Sequence, residues 1–256
     1  MTTSNHRPNE GTSPERRSDA LNWAQPVGKL SVPGVPPGAI NINVEGRRVV
    51  GPLQGFGKMW QKTYRMRLSG SAATPTEVIK TWRENFPEFW PPGNNFYAPI
   101  TGIAPGEVAV LNLSAGATKL STGVMVIYAD DESFTFMNPQ GHMFAGFITF
   151  SAFEEEGSSV AQAQVLIRPN DPLWEIIMRV YGYRKEDEFW QDTLKSLAAH
   201  FGVEGQPQMQ ATCVDPKLQW SQAKNIWHNA AIRSMLYTLA APARWIARPF
   251  RRRERR

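Results

Sequence analysis

The sequence has few of the residues from which disulfides, metal sites and nucleophilic centres are built. Cys213 is the single cysteine among 256 residues, which excludes an internal disulfide. The four histidines show no ligand spacing, so we expect no metal ion. Phosphate-loop, dinucleotide-binding and Gly-x-Ser-x-Gly patterns are absent as well. We therefore predict no cofactor, and the sequence assigns no catalytic residue.

The positive charge of the chain is concentrated at one end. Residues 244–256 carry seven arginines and one glutamate, a local charge of +6; because the whole chain has +5, residues 1–243 carry −1. A nucleic-acid-binding fold usually has a basic face on its folded body, so this distribution argues against a nucleic-acid partner. The start of the chain has no apolar stretch typical of a secretion signal, and a lone cysteine fits a reducing compartment. We expect a cytoplasmic location.

The block from Trp60 to Phe201 reads as a strand, a helix, a run of strands and a long helical stretch. Alternating residues predict a first strand over 60–68, with Trp60 and Tyr64 on the inner face. Thr74-Pro-Thr-Glu77 is a capping box that begins a helix. Closely spaced apolar runs then predict an antiparallel meander. These runs are Glu107–Leu113, Leu120–Tyr128, Ser133–Met137, Phe144–Phe153 and Ser158–Ile167.

Asp171-Pro172 begins the second helical stretch, and Gly182 predicts a kink or break in it. A further helix is predicted from about Lys217 to Ala240. The predicted fold is α+β, one antiparallel sheet wrapped around a long C-terminal helix, with an extra N-terminal arm and an extra C-terminal helix. We divide the chain into a disordered start (1–20), an extended arm (21–57), the main domain (58–203), a polar link with the extra helix (204–243) and a basic tail (244–256).

The predicted strand that contains Val124-Met-Val-Ile-Tyr128 is apolar on both faces, so something must cover the outer side of the sheet. The arm is one candidate cover, because Trp23 and Leu30 place apolar side chains in a proline-rich stretch. The C-terminal helices are a second candidate. A partner subunit in a dimer is the third.

The order of elements over Trp60–Val203 resembles the helix-grip fold of the START-like superfamily, often called SRPBCC, which includes polyketide cyclases, lipid carriers and plant allergens. The segments Gln140–Phe150 and Asp171–Trp174 through Thr193–Ala198 are similar to segments of uncharacterised bacterial members. The resemblance rests on pattern and not on a signature motif. It implies a hydrophobic pocket between the sheet and the long helix, and hence a small hydrophobic ligand, lipid-like or aromatic.

Large apolar side chains of the predicted elements are the candidates for the pocket wall, although most aromatic residues at helix–sheet interfaces belong to a packed core. The candidates are Tyr64, Trp82, Phe86, Phe134, Phe136, Trp174, Met178 and Tyr181.

Two alternatives to simple ligand binding stay open. The first is a cyclase- or dehydratase-type enzyme that uses the same cavity and needs a polar group inside it. Lys62 and Tyr64 share the inner face of the first strand; the competing interpretation packs Tyr64 in the core and places Lys62 at the rim. His142 is either a polar group at the pocket mouth or a turn residue bonded to the backbone. Lys185-Glu-Asp-Glu188 is expected to be a solvated helix face.

The second alternative is a non-enzymatic module that the basic tail directs to an anionic membrane surface, which would make the location peripheral. The apolar run before the tail is too short to span a bilayer. A solvated tail without a partner is the competing interpretation. The membrane-surface candidates are Trp245, Arg248, Arg251, Arg252 and Arg253.

Overall fold

The computed structural model describes residues 19–115 and 118–241, and within them one eight-stranded antiparallel sheet forms the body of the protein. The strands are β1 (Met59–Arg67), β2 (Asn95–Tyr97), β3 (Val108–Ala115), β4 (Thr118–Ala129), β5 (Ser133–Met137), β6 (Phe144–Glu155), β7 (Ser158–Pro169) and β8 (Gln208–Asp215). They lie in the order β2-β3-β4-β5-β6-β7-β1-β8. The predicted meander is confirmed, and its strand ends differ from the predicted ones by a few residues.

The helices lie between and after the strands. They are α1 (Pro75–Glu84), α2 (Pro172–Ile177), α3 (Tyr183–His200) and α4 (Ala230–Leu239), with short 3₁₀ helices that include Phe86–Phe89 and Trp220–His228. A π-helical turn, Met178–Gly182, joins α2 to α3 without a break, and we call residues 172–200 the long helix. None of the described helices is both long enough and apolar enough to cross a membrane.

Local sequence signals explain the first two elements. Tyr64 and Met66 are buried on the inner face of β1, as the alternation predicts. At the start of α1, the Thr74 hydroxyl accepts a hydrogen bond from the backbone N–H of Glu77, and the Glu77 carboxylate accepts one from the backbone N–H of Thr74. The capping box is therefore formed in full. Pro87 lies in the 3₁₀ helix that follows α1.

The buried face of α1 packs on the sheet through aromatic rings. Trp82 contacts Phe150 edge-on at 5.0 Å between centroids, and Phe86 contacts Phe134 at 5.6 Å. Phe134 and Phe150 stack at 4.8 Å across neighbouring strands. Aromatic pairs prefer these arrangements, and the rings form a close-packed core between α1 and this end of the sheet.

The N-terminal arm covers part of the outer face of β4. The backbone N–H of Ala24 donates to Ile127 O at 2.9 Å, and the Trp23 ring lies 4.6 Å from that of Tyr128. Leu30 and Val44 are buried against Met125. The segment around Val44 forms turns.

Helix α4 also packs on this outer face, and Asn43 of the arm connects the arm to α4. Its side-chain amide donates to Ser121 O at 2.7 Å and to Ala230 O at 3.2 Å, and its carbonyl oxygen accepts from Arg233 Nε at 2.9 Å. Asn43 is fully buried, so each of these bonds satisfies a group that water cannot reach. Of the three predicted covers, the arm and a C-terminal helix both occupy the outer face.

The structure differs from the sequence prediction in the segment 204–216. It contains β8, which pairs antiparallel with β1 and forms an edge of the sheet. Most β8 side chains are exposed on both faces, although apolar residues alternate with polar ones over residues 209–213 of its sequence. The carboxylate of Asp215 at its end pairs with the buried Arg168 of β7. Pairing along a free edge, and not burial of an apolar face, therefore makes this segment a strand.

Candidate functional site

A cavity of about 580 Å³ lies between the inner face of the sheet and the long helix. Apolar side chains from six strands and from the long helix form most of its wall. They include Leu111, Val124, Phe136, Ile148, Val165, Trp174, Ile177, Met178, Phe189 and Trp190. Tyr181 and Lys185 also line it and are exposed, so they mark its solvent side.

The structure divides the eight predicted pocket candidates into two groups. Phe136, Trp174, Met178 and Tyr181 line the cavity. Tyr64, Trp82, Phe86 and Phe134 are fully buried and do not line it. Trp82, Phe86 and Phe134 pack together between α1 and the sheet, whereas the Tyr64 hydroxyl donates to Asp187.

A second cleft, about 600 Å³, lies outside the core between α1 and the loop 98–103. Phe86 borders it, together with Lys80 and Ile100, whose side chain is fully exposed. The Arg83 guanidinium in its wall donates to the backbone oxygens of Asp130 and Ile103, both at 2.9 Å. Because this cation already holds neighbouring backbone together, we assign the cleft no ligand.

A buried ionic cluster joins β1 to the long helix beside the cavity. Lys62 Nζ donates to Glu186 Oε2 at 2.8 Å and to Asp187 Oδ1 at 2.7 Å. The Tyr64 hydroxyl also donates to Asp187 Oδ1, at 2.7 Å. Lys62 is 3% exposed, so the prediction that it lies at the rim is wrong, whereas the core position of Tyr64 is confirmed.

The expectation that Lys185–Glu188 is a solvated face is wrong for its two central residues. The Glu186 side chain is 8% exposed and that of Asp187 is 25% exposed. Glu186 stands four residues before Trp190 and eight before the buried Leu194, so the helical spacing of α3 itself places it on the inner face. The π-helical turn between α2 and α3 separates this face from a straight continuation of the apolar stripe of α2.

Glu186 is the carboxylate in the cavity wall. Burial raises its pKa to about 7; Lys62 opposes that shift, and the charge of Asp187 adds to it. Its Oε1 atom is buried and has no hydrogen-bond partner among the described residues. The group therefore offers an unsatisfied acceptor beside the cavity and can change its protonation near neutral pH.

His142 is a second polar group of the wall and is 7% exposed. Its Nδ1 lies 3.0 Å from the backbone N–H of Phe144. Because a backbone amide keeps its proton, Nδ1 is the acceptor and the neutral ring carries its proton on Nε2. Burial lowers the His142 pKa to about 4. Both sequence interpretations of His142 therefore describe it, since it bonds to the backbone and also lines the cavity.

The membrane-surface candidates Trp245, Arg248, Arg251, Arg252 and Arg253 lie outside the described residues, and their role stays a prediction. Within the described residues, histidine, cysteine and acidic side chains form no group that could hold a metal ion.

Comparison with solved structures found chains of similar fold. Protein Ms6760 from Mycobacterium smegmatis is 14% identical over 55% of this chain and 89% of its own, with a TM-score of 0.41. The di-domain ARO/CYC StfQ from the steffimycin biosynthetic pathway is 10% identical over 57% of this chain and 53% of its own, with a TM-score of 0.45. The major latex-like protein 151 from Panax ginseng is 12% identical over 57% of this chain and 99% of its own, with a TM-score of 0.39.

At these identities the likeness concerns the fold alone. No family model and no curated protein matches the chain. The architecture of the chain itself confirms the predicted fold, because its antiparallel sheet follows the expected strand order and packs on the long helix after β7. The described part of the chain therefore has the predicted α+β helix-grip fold, extended by the arm, β8 and α4.

Proposed function

We propose that this protein binds a small hydrophobic molecule, lipid-like or aromatic, in the cavity between the sheet and the long helix. The observation that carries the proposal is the cavity itself. Its volume of about 580 Å³ falls within the range of about 300–1,000 Å³ that small-molecule sites occupy. Protein interiors are close-packed and leave few voids larger than a water molecule, so a space of this size in a folded core supports a bound ligand.

Two neighbouring residues of α2 allow a matched test of the site. Ile177 lines the cavity, whereas Ile176 is 61% exposed. The variant Ile177→Trp places a larger ring in the cavity, and Ile176→Trp makes the same change on the solvent side. Native mass spectrometry of protein purified under mild conditions measures co-purified small molecules directly.

We expect wild-type protein and Ile176→Trp to carry the same apolar adduct and Ile177→Trp to lose most of it. Equal adduct in both variants would contradict binding in this cavity. Circular dichroism of both variants shows whether a loss of adduct reflects a loss of fold.

The enzyme alternative uses the same cavity, and Glu186 is the observation that favours it. A carboxylate with a pKa of about 7 can both take up and release a proton near neutral pH, as general acid–base catalysis requires. A change in the mass of a ligand incubated with wild-type protein, absent with Glu186→Gln, would support this alternative over simple binding.

A membrane-surface role is the other candidate, and exposed apolar residues on the C-terminal helices favour it. Leu236 and Leu239 on α4 are 56% and 70% exposed, and Trp227 before it is 81% exposed. The sequence continues from α4 into the arginine-rich residues 244–256. Apolar side chains next to clustered arginines are typical of segments that bind anionic bilayers.

Vesicle co-sedimentation tests the membrane role. We expect binding to anionic vesicles that weakens with added salt, because screening shortens the range of the charges. Truncation after Ala241 should abolish it, and the double substitution Leu236→Ser and Leu239→Ser should weaken it. Equal binding to neutral and anionic vesicles, or binding that survives the truncation, would contradict this role.

A further inference from the structure

We infer that the ligand of the cavity carries a hydrogen-bond donor, a hydroxyl or an amine, that binds Glu186, and that an apolar molecule with a carboxylate at this end is rejected. The inference rests on the proposed function and adds the chemistry of the polar end of the ligand.

The first observation is that the two oxygens of the Glu186 carboxylate have different surroundings. Oε2 accepts from Lys62 Nζ at 2.8 Å, whereas Oε1 has no hydrogen-bond partner among the described residues. The side chain is 92% buried and belongs to the cavity wall. A buried acceptor that lacks a donor is unfavourable. Because Oε1 is itself closed off from the cavity space, a ligand donor would reach it only when the Glu186 carboxylate turns towards the cavity.

The second observation is the charge of the cluster beside the cavity. Lys62 is shared between Glu186 and Asp187, so one positive charge faces two carboxylates. The Tyr64 hydroxyl donates to Asp187 and adds no charge. With both carboxylates ionised, the cluster has a net charge of −1, which favours a neutral or cationic group and repels an anionic one.

The third observation is that the remaining cation of the described wall is already paired. Lys185 lies on the solvent side, and its Nζ is 2.6 Å from Glu188 Oε2. A ligand carboxylate that entered the cavity would therefore meet an unpaired acceptor at Glu186 and no unpaired cation in the described wall. The donors without a partner on the wall residues Trp90 and Trp174 are neutral indole N–H groups, so they would not neutralise its charge.

Three probes of equal chain length test the inference: 1-decanol, decylamine and decanoate, each titrated by isothermal calorimetry below its aggregation concentration and at pH 8, where Glu186 is ionised. We expect wild-type protein to bind decanol and decylamine at least tenfold more tightly than decanoate. The comparison of decanol with decylamine distinguishes a hydroxyl-bearing from an amine-bearing ligand.

The variant Glu186→Gln makes a sharper test because Lys62 needs an acceptor. The amide oxygen of the new side chain should face Lys62, which turns the amide NH₂ towards the cavity. We expect decylamine to bind at least tenfold more weakly to this variant and decanoate at least tenfold more tightly. The control Asp192→Asn, on the exposed side of the same helix and outside the cavity wall, should leave all three affinities within about twofold.

The possible results distinguish a failure of the inference from a failure of the proposed function. Wild-type protein that binds decanoate as tightly as the other two probes overturns the inference and leaves hydrophobic binding intact. The inference also fails if Glu186→Gln, folded by circular dichroism, keeps the wild-type order of affinities. Absence of binding for all three probes overturns the proposed function together with the inference. If the variant does not fold, the three wild-type affinities decide.

Discussion

Lys62 Nζ lies 2.8 Å from Glu186 Oε2 and 2.7 Å from Asp187 Oδ1, so a single buried cation holds two consecutive carboxylates of the long helix. The contact fixes α3 against β1 next to the cavity. It also leaves one carboxylate charge uncompensated at the cavity wall. Stability and ligand choice therefore depend on the same residue, Glu186.

Replacing Glu186 by glutamine should change the pH dependence of stability. Its pKa is about 7 in the folded protein and near 4.5 when unperturbed, so between these values the folded state binds more protons than the unfolded one. Ionisation of Glu186 thus lowers the free energy of unfolding as pH rises through this range. We expect the stability of Glu186→Gln relative to wild type to grow by roughly 3 kcal/mol between pH 4.5 and pH 8. Urea unfolding at several pH values measures it, and a constant difference would contradict the buried acid.

The pH dependence of stability that His142 contributes should have the opposite sign to that of Glu186. Its pKa is lowered to about 4 by burial, below the unperturbed value of 6.5, so the unfolded state binds the extra proton first. The contribution of this residue to stability is full above pH 6.5 and is lost as pH falls towards 4. The NMR titration of the His142 ring should show no protonation above about pH 5. A midpoint near 6.5 would show that the ring is not buried as described.

Gly141, in the turn before β6, should be difficult to replace. It has a φ of +88°, and a Cβ atom there would lie 1.9 Å from the backbone oxygen of His228. Gly157 has a φ of +73° and open space around it, so it is a matched control for the backbone strain alone. We expect Gly157→Ala to cost about 1–2 kcal/mol and Gly141→Ala at least about 2 kcal/mol more. Equal losses in urea unfolding would show that the contact with His228 is not present in solution.

The arm should contribute to stability through the part that packs on β4. Deleting residues 1–20 should leave the melting temperature unchanged, while deleting residues 1–50 should lower it by several degrees, because Leu30, Asn43 and Val44 are buried. Thermal unfolding followed by circular dichroism compares the two truncations. Equal melting temperatures would reject a packed arm.

Most of the fold can be predicted from the sequence because the local sequence signals agree with the burial of the side chains. The alternation in β1 and the capping box at Thr74 each specify one geometry, and both are formed. The edge strand β8 is not predictable in this way, since most of its side chains are exposed and burial does not reinforce the short alternation in its sequence. Pairing with β1, which depends on the whole sheet, decides its conformation.

The residues of the candidate site are harder to predict from the sequence than the fold is. Phe136 and Phe134 are both aromatic residues on β5 and read alike, yet only Phe136 lines the cavity. Whether an aromatic ring faces a cavity or fills the core depends on how closely α1 approaches the sheet. Glu186 is predicted to be solvated because it stands in a run of charged residues, although Trp190 and Leu194 follow it at helical spacing and the face that they share is buried.

The most direct measurement of the central claim is methyl NMR of methionine side chains during titration with 1-decanol. Met143 and Met178 line the cavity, whereas Met209 and Met235 are exposed on β8 and α4. Ligand binding between the sheet and the long helix predicts saturable shifts of the Met143 and Met178 methyl signals and unchanged Met209 and Met235 signals. Shifts confined to Met209 or Met235, with Met143 and Met178 unaffected, would contradict binding in the cavity.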